Sequence, residues 1–391
     1  MDGERDVGVE RALRLARELA VVTGAEEVPV PEAAGRTLAE DVRAARDVPA
    51  ADGSAMDGWA VRAADTPGAL RSVGESAAGR AFAGALAPGE AVAVSTGAVM
   101  PRGADAVARH EVVTVDGATV RVNERLAPGR DARAAGELIR AGDVLLAAGS
   151  RVAPHEVGAI GAVGLAGVRC VRRPRVAILA TGAELVPLGA TALPEQVHDS
   201  SRHGIAAQAR AAGAVIVATA AVGDDRDDTV RALEGLLGSG AELVVTAGGI
   251  SAGVHDHVRP ALAVLGVEEV ARGVRAAPIR PAWLGRAGAQ AVLGLPGNPA
   301  SAAVAFHVLG RPLLGAPEDW WRRAPLAVPA ATRPGRAELL RCREGPDGLT
   351  PMAHQGPHAI TSLAGATALA WLPEEGDGVA AGEPVAFSRL A

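Results

Sequence analysis

The sequence contains no lysine and no tyrosine; all 39 basic residues are arginine. Arginine is therefore expected wherever the chemistry asks for a cation, including places where lysine is usual. Aromatic residues are 2% of the 391 positions, so stacking on bases or sugars is not the main binding mode. The two cysteines, Cys170 and Cys342, are far apart and form no CxxC. That excludes a cysteine-rich zinc site and a disulfide framework, and suits a reducing compartment. There is no basic block, and the net charge is −6, which argues against nucleic acid as a partner. No apolar run is long enough for a signal peptide or a membrane span, and MDGERDVGVERALRLARELA at the start is charged throughout. The nine histidines show no metal-ligand spacing. The expectation is a soluble cytoplasmic protein with neither a membrane nor a nucleic acid as partner.

What is present is a chain 49% hydrophobic and 21% charged, ordinary for a globular protein and long enough for several domains. Val9, Leu13, Ala16 and Ala20 fall on one helical face. Pro29 and Pro31 interrupt the next segment, and a second helix or strand comes after them. From Asp47 short apolar runs alternate with Asp-Gly and Pro-Gly turns, which predicts a small β domain to about Pro128. Glu137 to Gly167 reads as helix-like. Val176 to Ala180 is continuously apolar, like a strand buried on both faces. Strand and helix patterns then alternate to Leu314, which predicts a parallel sheet with helices on both faces. Glu318 to Arg333 reads as a linker or first strand, and the remainder as a small β domain.

Five segments could carry chemistry. In LVVTAGGISAGVHDHV, Leu243 to Val258, a buried strand runs into Gly248 and Gly249, turns through Ser251 and Gly253, and enters a helix near His255. Glycines let the backbone approach an anionic ligand, and ligands of such sheets lie beyond the strands' carboxyl ends. Asp256 could hold Mg²⁺ there; a tight turn with an acid near a helix start is the plainer alternative. In LGLPGNPAS, Pro296 and Pro299 stiffen a loop, Gly297 permits a tight backbone and Asn298 can cap the next helix; ligand contact and a capped turn are equally good readings. In ATGAELV, Glu184 follows a strand end and reads in isolation as a solvated acid. Asp224 and Asp225 are either a cap for the following helix or metal-side carboxylates. DGSAMDGWAVRAAD, with Asp57, and STGAVMPRGADAV, with Thr96, are small-residue loops of the kind that bind or catalyse when mounted on a scaffold; hairpin turns are the alternative.

These motifs, in this order and together with RAAGELIRAGDVLLAAGSRVAP and HQGPHAITSLAGATALAWLP, resemble the molybdopterin molybdenumtransferase (MoeA) family, which is related to the E domain of gephyrin. The resemblance covers nearly the whole chain. It implies an α/β multidomain protein: an elongated helical/β domain from residues 1–45 and 137–172, an inserted β domain at 46–136, a doubly wound molybdopterin-binding α/β domain at 173–315, and a C-terminal β-barrel domain at 316–391. It implies a homodimer and other molybdenum-cofactor biosynthesis proteins as partners. The implied activity takes adenylylated molybdopterin, releases AMP and ligates molybdenum from molybdate to the dithiolene, with Mg²⁺ assisting. Matching motif by motif, Asp57, Thr96, Glu184 and Arg280 are the implied catalytic residues, with Asp57 and Thr96 facing a partner subunit's cleft. Gly248, Gly249, Ser251, Gly253, Pro296, Gly297, Asn298 and Pro299 would bind substrate, and Asp224 and Asp256 the metal.

The chain departs from the family pattern in several places. An acid is replaced by Leu138 and another by Ala183; Ala277 replaces a cation, Ile279 a glycine, and Arg280 a lysine. Arg280 keeps the charge but not the geometry. Slow but nonzero turnover is expected. Two other readings stay open: a diverged, catalytically weak paralogue acting as a molybdopterin-binding or scaffold protein, and a relative acting on another nucleotide-linked substrate.

Overall fold

The structure is a computed structural model and describes residues 3–250, 256–316 and 322–390. The chain divides into two compact units, residues 24–172 and residues 1–23 with 173–391.

The chain opens with β1 (Glu4–Val7) and α1 (Val9–Glu18). Val9, Leu13 and Ala16 of the helix are buried, as their spacing requires. Both elements belong to the unit of residues 173–391 and not, as expected, to a domain with residues 137–172. The reason is direct. β1 pairs in parallel with a strand at Glu268–Val274, and α1 buries its apolar face in the core formed by residues 176–314.

In the unit of residues 24–172, six strands form one sheet: β2 (Gly58–Val61), β3 (Gly68–Ser76), β4 (Glu90–Val94), β5 (Ala106–Arg109), β6 (Val113–Asp116) and β7 (Thr119–Val122), in the order β5-β2-β4-β3-β7-β6. Residues 137–167 are less helical than expected. Only α2 (Glu156–Ala162) is α-helix. Gly136, Gly142 and Gly149, at φ of 70°, 88° and 82°, turn the chain before a helix can form. Asp143 accepts the Arg140 N–H and Glu137 the Ala134 N–H, competing with helical bonding.

The second unit is built on β8 (Arg175–Thr181), α3 (Ser200–Ala211), β9 (Val215–Val222), α4 (Arg226–Leu237), β10 (Leu243–Ala247), α5 (Val258–Val264), β11 (Glu268–Val274), β12 (Trp283–Ala287), β13 (Gln290–Leu295) and α6 (Pro299–Ala305). The seven-stranded sheet runs β1-β11-β12-β13-β10-β8-β9. It is mixed where a parallel sheet was expected: β12 is antiparallel to both neighbours, because a turn at Gly288 (φ 58°) joins β12 to β13 as a hairpin. Strand side chains alternate between two cores. Val176, Ile178, Leu243, Val245 and Leu293 face α1, α3 and α6; Ala177, Leu179, Val244 and Val292 face α4 and α5. The central strands β8, β10 and β13 are therefore buried on both faces, while the edge strand β9 is partly exposed.

The C-terminal strands are β14 (Arg322–Pro325), β15 (Ala337–Gly345), β16 (Gly348–Pro351), β17 (Ala368–Leu372) and β18 (Pro384–Arg389). The path β16-β15-β17-β18-β14 closes on itself, since the Ala327 N–H donates to Leu349 O (2.9 Å) just beyond β14. Leu326, Cys342, Leu349 and Phe387 fill the interior. Among the described residues no helix is long and apolar enough to cross a membrane.

Candidate functional site

β8, β9, β10 and β13 are mutually parallel, so their carboxyl ends share one edge. There the Gly182 N–H donates to Val222 O (3.1 Å), tying the end of β8 to β9, and the Gly248 N–H to Leu295 O (3.0 Å), tying the end of β10 to β13. Gly248 and Gly249 have φ of 94° and 65°. A Cβ on Gly248 would sit 2.7 Å from Thr181 O and Oγ1, and one on Gly249 2.6 Å from Val258 Cγ2. Only glycine fits either position. The Cα of Gly248 lies 3.5 Å from where a Gly297 Cβ would be, so the Pro296–Pro299 loop rests on this floor. Ser251 and Gly253 fall outside the described residues.

Glu184 sits on this edge. A Cβ on Gly182 would meet its Oε2 at 2.4 Å, so the carboxylate folds over the bare backbone of Gly182. Its own backbone is fixed, because Glu184 O accepts the Val197 N–H (2.9 Å) and Leu185 pairs with Val197. Of Asp224 and Asp225, the second is the helix cap. It precedes α4 and accepts the Asp228 N–H (2.8 Å); Asp224 is exposed, with no hydrogen bond or ion pair among the described residues. Asp256, half-buried, precedes α5, which begins at Val258; His255, where the helix entry was expected, falls outside the described residues. Asn298 holds the cap position of α6, but its side chain makes no capping bond; its carbonyl accepts the Ala302 N–H (2.9 Å).

Arg280 is exposed on a tight turn in which the Val274 N–H donates to Arg280 O (3.0 Å), and its guanidinium has no partner among the described residues. Next to it Ile279 is fully buried in the core beneath α1 and α6. Among the described residues, no three His, Cys, Asp or Glu side chains gather as a metal site. The donors fit magnesium only in the sense that Asp224 is an uncommitted carboxylate, and Mg²⁺ completes its shell from water and substrate phosphate.

In the other unit, Asp57 and Thr96 meet, a contact that the two loops read separately did not foretell. The Thr96 N–H (2.6 Å) and hydroxyl (3.0 Å) both donate to Asp57 Oδ1. These bonds, the backbone one first, hold the Asp57 carboxyl below the ordinary aspartate range. The residue is exposed, and Oδ2 has no partner among the described residues.

One group escaped the sequence reading. Arg341 is completely buried, its Nε and Nη1 lack partners among the described residues, and Nη2 donates to His354 O and Gly356 O, both at 3.2 Å. Burial lowers its pKa. The Gln355 side chain clasps its backbone, accepting the Arg341 N–H (3.0 Å) and donating to Arg341 O (2.8 Å). Residues 353–356 and 358–361 rim a cavity of about 450 Å³. Pro357 O accepts the Ser301 N–H (3.3 Å), which joins this rim to the Pro296–Ser301 segment. The signal lay in the alternation of β15: Ala337 and Leu339 point into the α/β core, and the next residue on that face is arginine.

Comparison with known proteins agrees with the motif order. Residues 7–164 match the MoeA N-terminal region (domain I and II), residues 177–316 a probable molybdopterin binding domain, and residues 323–390 the MoeA C-terminal region (domain IV). Molybdopterin molybdenumtransferase 2 of Mycobacterium tuberculosis is 35% identical over 91% of this chain and 92% of its own length. The molybdopterin molybdenumtransferase of Haemophilus influenzae is 30% identical over 95% of each chain. A solved molybdopterin biosynthesis MoeA protein from Pyrococcus horikosii superposes with a TM-score of 0.87 at 28% identity, covering 98% of this chain and 99% of that one. The chain belongs to the MoeA family of molybdopterin molybdenumtransferases.

Proposed function

We propose that the chain takes adenylylated molybdopterin, releases AMP and places molybdenum from molybdate on the dithiolene sulfurs, within molybdenum-cofactor biosynthesis. The observation that carries this reading is the glycine floor at the carboxyl edge of the parallel strands. Gly297 is exposed and Gly249 half-buried at this edge, with the buried Gly248 packed on Thr181 beneath them, so a pyrophosphate could lie against the Gly249 and Gly297 backbone. A phosphoanhydride needs a bare, close-approach surface of this kind, with carboxylates at its margin to hold a hard cation.

Each side chain then has a task it can perform from where it stands. Glu184, folded over Gly182, orients a donor group of the substrate. Asp57 stays ionised at neutral pH and offers Oδ2 as an acceptor for a substrate proton. Arg280 and the rim above Arg341 supply the positive charge that an oxyanion such as molybdate requires. Asp224 and Asp256 would hold Mg²⁺, which when bound would neutralise phosphate charge. A homodimer is part of the proposal; a monomer by light scattering at micromolar concentration would count against it. Leu138 and Ala183 are exposed where the pattern has acids, and so turnover is expected to be slow. The test is AMP release from bound adenylylated molybdopterin in Glu184→Gln and Asp57→Asn. Both should lose most of the rate while still binding substrate; unchanged rates in both would sink the assignment.

A further inference from the structure

Asp131 is a non-glycine residue in left-handed backbone, at φ 54°, next to the loop that carries Asp57. Its carbonyl accepts the Ala55 N–H (2.8 Å), and Ala132 pairs with Ser54, so this turn supports the chain just before Asp57. Its carboxylate, with a side chain only 11% exposed, takes a two-pronged bond from Arg109, Nε at 2.7 Å and Nη2 at 2.5 Å, and a third from Arg130 Nε at 3.1 Å. Arg109 ends β5 and pairs across from Gly58, the residue just after Asp57. That approach is close: a Cβ on Gly58 would lie 2.2 Å from Ala108 O. The turn is tied to β5 a second time, because Arg130 O accepts the Val107 N–H (2.9 Å). One ion pair therefore links the support on the upstream side of Asp57 to the support on its downstream side.

We propose that the Arg109–Asp131 pair is a positioning device for Asp57, fixing both flanks of its loop so that Oδ1 meets Thr96 and Oδ2 stays open to the substrate. The proposal rests on the catalytic reading of Asp57. A forked guanidinium–carboxylate contact has the directionality to do this, whereas a single exposed ion pair does not. Asp131 suits the place because aspartate tolerates left-handed backbone, and its acid then points at the two arginines.

The experiment uses the full chain. Asp131→Asn keeps the shape and the backbone tolerance but removes the charge; Arg109→Met removes the fork; Arg71→Gln, which deletes an exposed pair with Glu90 in the same sheet, is the control. Four readouts are taken: the melting temperature, the Thr96 amide signal by NMR, kcat and KM for AMP release, and the acid limb of the rate–pH profile. Asp131→Asn and Arg109→Met should each move the Thr96 signal and lower kcat by about ten- to a hundredfold, with KM changed less than about twofold. The double variant should be no worse than either single one, and the acid limb should move to higher pH as the Thr96 bonds loosen. Arg109→Lys should recover only part of the loss. A purely structural role predicts a lower melting temperature with kcat per folded molecule, pH profile and Thr96 signal unchanged, and that result overturns the proposal. Additive losses overturn it too. Full activity in Asp57→Asn would sink the catalytic reading alone, because the Thr96 signal in Asp131→Asn still reports whether the pair positions the loop.

Discussion

Replacing Ile279 by glycine restores the residue that the family pattern carries there, and sequence comparison alone would rank it among the substitutions expected to raise activity. The structure predicts loss instead. Ile279 is fully buried against the core that α1 and α6 share, and its backbone is not in the left-handed region, so glycine relieves no strain. Removing a buried isoleucine to alanine costs about 2–5 kcal/mol, and glycine adds about 0.5–1 kcal/mol of backbone entropy, so about 4 kcal/mol is expected. At about 2–4 °C per kcal/mol for a unit of this size, the melting temperature should fall by roughly 8–16 °C. Ala183→Asp and Leu138→Asp, both on exposed positions, should move stability by no more than about 0.5 kcal/mol. The assay is thermal unfolding of the three single variants beside their AMP release. An Ile279→Gly protein that melts with the parent and turns over faster would refute the packing argument. The practical consequence is that a combined restoration variant can fail for want of folding, so the surface acids should be restored first.

Three further outcomes are expected from the site. Thr96→Val removes the hydroxyl bond to Asp57 but keeps the N–H bond, so the acid limb of kcat/KM should move upward without reaching the ordinary aspartate position. The direction comes from the lowered folded-state value: the ionised form is favoured above it, and whatever stability this contributes is lost as pH falls through it. Asp256→Asn should weaken the Mg²⁺ dependence of AMP release while folding is unchanged, as read by rate against Mg²⁺ concentration. Arg341→Met should fold, since exchanging a buried charge for an apolar side chain is often neutral, yet need more molybdate for half-maximal rate. An unchanged molybdate response would remove Arg341 from the site.

The alternating core of the second unit was legible because strands buried on both faces are written as unbroken apolar runs, as at Val176–Ala180 and Leu243–Ala247. The glycine floor was legible too, since glycines after such a strand have few other reasons to cluster. β1 was not. ERDV is charged, and it joins the sheet through its backbone, which side-chain patterning does not report. β12 was missed because WLGRA is short and broken by Gly285 and Arg286, and nothing in its pattern announces the hairpin that Gly288 turns. Arg341 was overlooked for the opposite reason. A single arginine in a strand of a sequence with 39 of them draws no notice until its burial is seen. The Asp57–Thr96 contact was only half legible: each loop marked itself, but their hydrogen bonds join residues 39 apart in sequence.

The most direct test of the account is a single-turnover reaction with purified protein, adenylylated molybdopterin, molybdate and Mg²⁺, following AMP release and molybdenum-loaded cofactor in the same sample. The account predicts that both products form slowly, in equal amounts and with one time course. Tight binding of the molybdopterin compound with no AMP and no loaded cofactor would contradict it and leave a binding or scaffold protein in its place.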